Sequence, residues 1–598
     1  MSDGSWKPDA PNANWVDPQN WSGSTVPTGK AAFCTSTETA LAFAPGAAQT
    51  IGEIAFDADS QPFSINITHL DKTPALTIDG AGVTNASLAM QSFVVASYGT
   101  YHQPQLSFTG KACAGDDTVL YYAGPTSLTD SFGGGTIGFY EGASAGSARF
   151  TVRTGQVSPH QDTSTRPPKQ VPPGQKDASE STLGGSIVFN NEALAGHAVF
   201  SLFGTLGSDG DTFGNVVFHD KTSADCATFL NYGGTVPGGD GGNTQFYDAS
   251  SAATGVYVNY GGTAYKDAQW GGANGGDVAF DGAATGGSGW FQNYPASVDG
   301  AHGGVTSFNN NPNFPAIDTP GASAANGTYV NYGANDRFPG GGGHTELTAR
   351  YGFSKAGQGT FVNFGSTQKS AASAGHTIFA IDPPNAYNPS AENGVFWNHP
   401  GTSAGYTEFL SYSDAPSDKQ PDAGHGVFHN LGSASPDEAG GYTVFKNRSQ
   451  AGQAMLIAYG GVAGGNGGRI IFADSATGGT AHVSLMGNGT LDLSGHTGGL
   501  TIGTLSLLQG VICVSVGPQE PALTTSHAIN LHAGPVTLML SKDADVTLKE
   551  GTQYPLIDAP NMAQLDLAVF SAATDLAATA HLAVDGTRLY ATFTDIGS

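Results

Sequence analysis

One phrase recurs along this chain and limits what it can become. A Phe-led strand runs into a small-residue turn, then into an aromatic-Val-Asn-aromatic strand that ends at Gly-Gly. Two copies align over their whole length, at 217–234 and 245–262. Looser copies follow at 279–295, 328–333, 360–365, 395–401, 427–432, 444–461 and 471–489. Asparagine marks the beat, at Asn231, Asn259, Asn293, Asn331, Asn363, Asn398 and Asn430. The spacing, roughly 28–38 residues, is that of solenoid and propeller repeats. One such unit cannot bury its own apolar face, so it must stack on its neighbours.

Composition decides between order and disorder. Gly accounts for 87 of 598 residues and charged residues for 12%. Hydrophobic residues still reach 39%. They sit in short alternating runs bounded by Gly, Asn, Asp and Pro, which is the strand signature. The glycines read as turn residues at corners. Net charge is −27 and the pI about 4.7, so nucleic acid and anionic lipid are not expected as partners. No apolar run is long enough to span a membrane as a helix. The amino end shows no signal peptide; either the chain is cytoplasmic or its signal lies outside this sequence, and the second is expected. Cys34, Cys113, Cys226 and Cys513 are far apart and lack zinc spacing. Cys226 stands where the next copy has Thr254 and is expected to be a small buried filler.

Three regions are expected: residues 1–130 as cap and first coils, 131–478 as the Gly-rich array, and 479–598 as a module of regular strands. Trp6, Trp15 and Trp21 are placed to cover the open end of the core. A Pro-rich insertion at 154–182 breaks the rhythm and carries Arg166, Lys169 and Lys176. It reads as a projecting arm. Further Pro-containing insertions fall at 309–322, 382–391 and 413–423.

The segments 241–252 (GGNTQFYDASSA) and 467–476 (GGRIIFADSA) carry a phrase of the form GG-x-x-x-F-x-D-x-S-x-A, compact in the second. The opening has Trp15, Asn20-Trp21, Val26-Pro27 and Phe33, and the close has KEGTQYPLIDA and LAVDGTRLY. Together these features resemble the Gly-rich passenger segments of bacterial autotransporters. The resemblance implies a right-handed parallel β-helix, export, and surface display or release. It implies no shared activity. The translocating barrel of that family is absent from this sequence. The fold expected is therefore an all-β, single-stranded right-handed parallel β-helix with terminal caps, of about 20 coils.

Motifs for chemistry are sparse. GxSxG occurs at 142–146 and 401–405, but neither site predicts the strand-turn-helix of a nucleophile elbow. The acidic turn at 238–243 does not recur and reads as a turn. Asp240, Asp248, Asp281 and Asp318 are acids that a two-carboxylate mechanism could use, with solvated turns the simpler reading. No metal or cofactor is expected. The most suggestive series follows the asparagines: Tyr232, Tyr260, Tyr294, Tyr332, Phe364 and His399. Facing inward, they would be core stacking, the preferred reading. Facing outward, they would form an aromatic stripe able to contact sugars. The asparagines must face the other way and pair with one another as an amide ladder.

The function expected is that of a secreted or surface-displayed, adhesin-like binding protein contacting glycans or host surfaces. The alternatives are a polysaccharide hydrolase or lyase with a groove along the helix, and a secreted toxin-like factor.

Overall fold

The computed structural model describes residues 2–69, 74–97, 105–126, 133–153, 184–205, 213–267, 270–309, 321–348, 352–381, 387–411, 419–517, 520–532, 534–542, 546–574 and 576–596. The Pro-rich insertion at 154–182, Asp318 and most of the insertions near 310, 382 and 413 lie outside them. The chain divides into two units, one centred on Met1–Thr306, the other on Ser307–Asn311 with Ala316–Ser598. Each is a parallel β-helix, and the described residues contain no α-helix.

One coil shows how the phrase becomes structure. Asn215–Phe218 is a strand, residues 219–227 turn, Thr228–Asn231 is a second strand, and a loop returns to Asn243–Phe246. Thr228–Asn231 and Asn243–Phe246 follow an alternating pattern in which every second side chain is buried. Period-two patterning against one apolar interior requires this. The next coil repeats the set in register: Phe218 pairs with Phe246, and Asn231 with Asn259. Two parallel sheets result in each unit, here called the phenylalanine sheet and the asparagine sheet. A third side is a line of single bridges, Ser144–Leu194–Ser223–Ser251–Thr285 in the first unit.

Two columns of rings fill the interior. In the phenylalanine sheet of the first unit, Phe139, Phe189, Phe218, Phe246 and Phe280 stack at 4.6–4.9 Å. In the asparagine sheet, Phe200, Phe229, Tyr257 and Phe291 stack at 4.5–4.9 Å. The columns meet edge to face, for example Phe218 on Phe229 at 5.8 Å and 75°. The second unit repeats this with Phe379, Phe409, Phe445 and Phe472 against Phe361, Phe396 and Phe428. Each pair adds about 0.5–1.5 kcal/mol beyond area burial.

The Asp of the repeated phrase is a corner residue. Asp220 and Asp248 have φ of 55° and 57°, a left-handed conformation that Asp tolerates better than most residues. Asp248 Oδ2 accepts from Asp220 N at 3.0 Å, and Asp220 Oδ2 accepts from Asn191 N at 2.7 Å. Each corner side chain thus caps the coil before it, which gives Asp248 a structural role. The amino end is closed by Trp6, Trp15 and Trp21, all buried, with ring centroids 5.1 Å apart and packed on Phe33. At the other end the chain finishes in an antiparallel hairpin, Thr579–Asp585 with Arg588–Thr594.

The four cysteines are free, and Cys226 is exposed rather than buried. Its Sγ lies 3.2 Å from Thr254 Oγ1, so the equivalence of the two positions holds while the side chains point outward.

Candidate functional site: the outer aromatic face

The asparagines occupy the interior. All seven are fully buried. Asn231 Nδ2 donates to Asn259 Oδ1 at 2.8 Å, and Asn259 Nδ2 to Asn293 Oδ1 at 2.7 Å. In the second unit Asn331, Asn363, Asn398 and Asn430 continue the same way at 2.8–2.9 Å. Each run also binds buried threonines. Thr244 donates to Asn231 Oδ1, Thr377 to Asn363 Oδ1 and Thr443 to Asn430 Oδ1, at 2.9–3.0 Å. This threonine ladder escaped sequence reading, although its signal, a Thr two residues after a Gly at the strand start, is visible at Thr244, Thr345, Thr377, Thr407 and Thr443. The ladder stops at Asn430, whose Nδ2 has no acceptor because the next coil carries Ala458 there.

With Asn inside, the residue after it points outward. The structure therefore reverses the preferred inward reading of the aromatic series. Tyr232, Tyr294, Tyr332, Phe364 and His399 are half-buried on the outside, and Tyr260 is 36% exposed. They stack in two runs. Phe203, Tyr232, Tyr260 and Tyr294 lie 4.8, 5.0 and 5.8 Å apart, with the Arg153 guanidinium 4.9 Å from the Phe203 centroid. Tyr332, Phe364 and His399 lie 5.5 and 4.6 Å apart. Burial and the neighbouring phenol push the Tyr232 and Tyr260 hydroxyls above the ordinary tyrosine range. Burial pulls His399 down, toward the neutral form. Ring faces inside a run are covered by neighbours, so the stripe offers edges and hydroxyls along its length.

The stripe marks where the loops leave the helix. The Gly just before each following strand donates to the backbone oxygen of the aromatic residue: Gly242 to Tyr232, Gly276 to Tyr260, Gly375 to Phe364, Gly405 to His399, at 2.8–2.9 Å. This bond pinches every loop at its base. Side chains are excluded there, since a Cβ on Gly276 would sit 2.1 Å from the Asn231 oxygen and one on Gly405 2.1 Å from the Asn363 oxygen.

The most exposed large aromatics are on the loop and strand that follow Tyr260. Among the described residues the exposed large aromatics are Tyr260, Tyr265 at 63%, Trp270 at 46% and Trp290 at 48%. All four lie within one turn of the first unit. Trp290 begins the strand Trp290–Asn293, opposite Val256. Trp270 packs beside Gly238 of the preceding loop, which donates to Gly271 O at 2.9 Å. Sequence reading passed over Tyr265, Trp270 and Trp290 because they lie off the asparagine beat.

The second unit carries a different outer column. His344, His376, Tyr406 and Tyr442 stack at 4.8–5.1 Å. His344 Nε2 lies 3.3 Å from Glu346 Oε1, and Lys446 Nζ 2.5 Å from Glu408 Oε1. Burial and the neighbouring His344 take the His376 pKa down to about 3, while the Glu346 carboxylate raises His344. Both carboxylates are matched by cations, which suits a structural pair better than an acid and a base. On the asparagine sheet, Trp397 stacks on His429 at 3.8 Å, and His429 Nδ1 lies 2.9 Å from the Tyr459 hydroxyl.

Among the described residues no group of three or more His, Cys, Asp or Glu is arranged to hold a metal ion, and no helix is long and apolar enough to cross a membrane. Ser144 and Ser403, the GxSxG serines, sit in bridge positions, and Ser144 Oγ accepts from Gly146 N at 3.1 Å. No family model, curated protein or solved structure matches the chain.

Proposed function

We propose that this chain is an adhesin-like binding protein, secreted or displayed on a bacterial surface in the manner of an autotransporter passenger, that contacts glycans through aromatic side chains of one coil. The observation that carries the reading is the concentration of Tyr260, Tyr265, Trp270 and Trp290 in a single turn. Exposed large aromatics gathered in one place mark interaction sites, whereas scattered ones do not. Tyr and Trp offer an apolar ring with a polar tip, which suits the apolar faces and hydroxyls of sugars. Trp290 and Tyr260 are separated by the length of a four-residue strand, about 13 Å, so the surface is long enough for an extended chain of rings. Rigid ladders beneath hold it in place, which lowers the ordering cost of binding.

The test is a glycan array on the purified chain and its Trp270→Ala and Trp290→Ala variants, with a reducing-sugar assay alongside. Binding to a defined glycan class that falls at least tenfold in either variant supports the reading. An empty array, or variants that bind as the parent does, overturns it, and release of reducing sugar would move the protein to the hydrolases.

A further inference from the structure

The two strands of the closing hairpin are used differently. Arg588–Thr594 has an antiparallel neighbour on each side, Thr579–Asp585 on one and Tyr554–Asp558 on the other. Thr579–Asp585 pairs with Arg588–Thr594 alone among the described residues, so it forms the edge of its sheet. The backbone groups facing that edge follow from the turn and from one contact. Gly586 and Thr587 make a two-residue turn, with Gly586 at φ 59°, so Asp585 and Arg588 close it as a hydrogen-bonded pair. Pairs then alternate along the ladder. Phe593, opposite Ala580, gives its carbonyl to Gly551 N at 3.3 Å on the far side, as the alternation requires. The N–H and C=O groups of Ala580, Leu582 and Val584 therefore point outward from the hairpin, and no backbone group among the described residues takes them up.

Proteins blunt such edges with Lys, Pro or a bulge. This strand, TAHLAVD, has no Lys or Pro and runs without a register shift. Ala580, Leu582 and Val584 are only half-buried on one side of it, and Thr579, His581, Ala583 and Asp585 are exposed on the other. The side chains choose the occupant. A strand pairs antiparallel with its own copy about a two-fold axis, and the residue on the axis fixes the register. With Ala583 on the axis, His581 of each copy faces Asp585 of the other. In that register Leu582 faces Val584, and each donates its N–H to the carbonyl of the other. With Leu582 on the axis His581 would meet Ala583, and with His581 on the axis two histidines would meet. Asp585 is available because Arg588, its partner across the hairpin, is turned to Asp558 at 2.9 Å. His581 Nε2 lies 3.1 Å from Thr594 Oγ1, which leaves its second ring nitrogen to bond.

We propose that Thr579–Asp585 docks on the same strand of a second copy of this chain, antiparallel, with Ala583 on the two-fold axis. The pairing supplies what the edge lacks: acceptors and donors for its outward backbone groups, apolar cover for Leu582 and Val584, and a histidine opposite each aspartate. One strand edge is a small interface, so the dimer is reversible.

The experiment is sedimentation velocity of the full chain over a wide concentration range, with Ala583→Lys as the variant. The parent should pass from monomer to dimer as concentration rises. Ala583→Lys sets two like charges opposite each other on the axis and should weaken the dimer at least tenfold. Ala583 is exposed, so the variant should melt as the parent does, which separates loss of the dimer from loss of the fold. Register is read by cross-linking in a background of Cys34→Ser and Cys226→Ser, the exposed cysteines. Ala583→Cys would place the two Cα atoms about 4.5 Å apart, within the span of a disulfide, whereas for His581→Cys they would be about 14 Å apart. Ala583→Cys should therefore bridge two copies and His581→Cys should not. A parent that stays monomeric, a dimer that Ala583→Lys leaves intact, or a bridge formed no faster at Ala583→Cys than at His581→Cys would overturn the proposal.

Discussion

Replacing Asn363 with Ala measures what the amide ladder contributes. Asn363 Nδ2 donates to Asn398 Oδ1 at 2.9 Å and to Tyr406 O at 3.0 Å, and its Oδ1 accepts from Asn331 Nδ2 at 2.8 Å and Thr377 Oγ1 at 3.0 Å. Two partners keep other bonds: Asn331 Nδ2 still reaches His376 O, and Asn398 Oδ1 still accepts from Thr407. The variant nevertheless strands one N–H of Asn331 and the Thr377 hydroxyl in an interior without water. At about 1–3 kcal/mol for each stranded group the cost is roughly 4 kcal/mol. Asn430→Ala is the control. Asn430 accepts from Asn398 and Thr443 in the same way, but its own Nδ2 is unmatched, so the substitution also removes an unfavourable group. It should cost roughly 2 kcal/mol less. Hydrogen exchange over 360–363 and 395–398 reads the local free energy, and roughly 4 kcal/mol corresponds to about a thousandfold faster exchange. Equal effects of the two variants, or a cost for Asn363→Ala below about 1 kcal/mol, would refute the ladder reasoning.

Two pH responses of opposite sign follow. His376 has a folded pKa near 3 against 6.5 for the free side chain, so the unfolded chain takes its proton first and the second unit loses stability as pH falls from 6.5 toward 3. His344, raised by Glu346, opposes this only in part, and His376→Phe should flatten the profile in urea unfolding between pH 7 and 4. Burial first, then the negative charge of Asp240 and Asp281, raises Asp277, so its charge destabilises the first unit as pH climbs above 3.8, and Asp277→Asn should gain on the parent in melts as pH rises from 4.

The repeat, the parallel stacking and the amide ladder were legible in the sequence because Asn and Phe recur at fixed offsets within the phrase, and buried amides have few alternatives to pairing with one another. The direction of the aromatic series was legible too, had the asparagine been placed first: burying Asn231 forces Tyr232 outward. The Asp corner at Asp220 and Asp248 was hidden because a capping Asp and a solvated one look alike until φ is known. The exposed Trp270 and Trp290 depend on which loops lie against which coils. Loop lengths between the copies vary, so no period in the sequence reports them.

Parallel, in-register stacking of successive coils underlies every ladder described, and a cross-link tests it most directly. Leu230 and Val258 are register partners on the outer side of adjacent strands. Strand spacing puts their Cα atoms about 4.8 Å apart, within the span of a disulfide, whereas Leu230 and Tyr260 are about 8 Å apart and beyond it. In a Cys226→Ser background, Leu230→Cys with Val258→Cys should oxidise to a disulfide that peptide mass mapping locates, and Leu230→Cys with Tyr260→Cys should remain reduced. A bridge in the second pair with none in the first would contradict the stack.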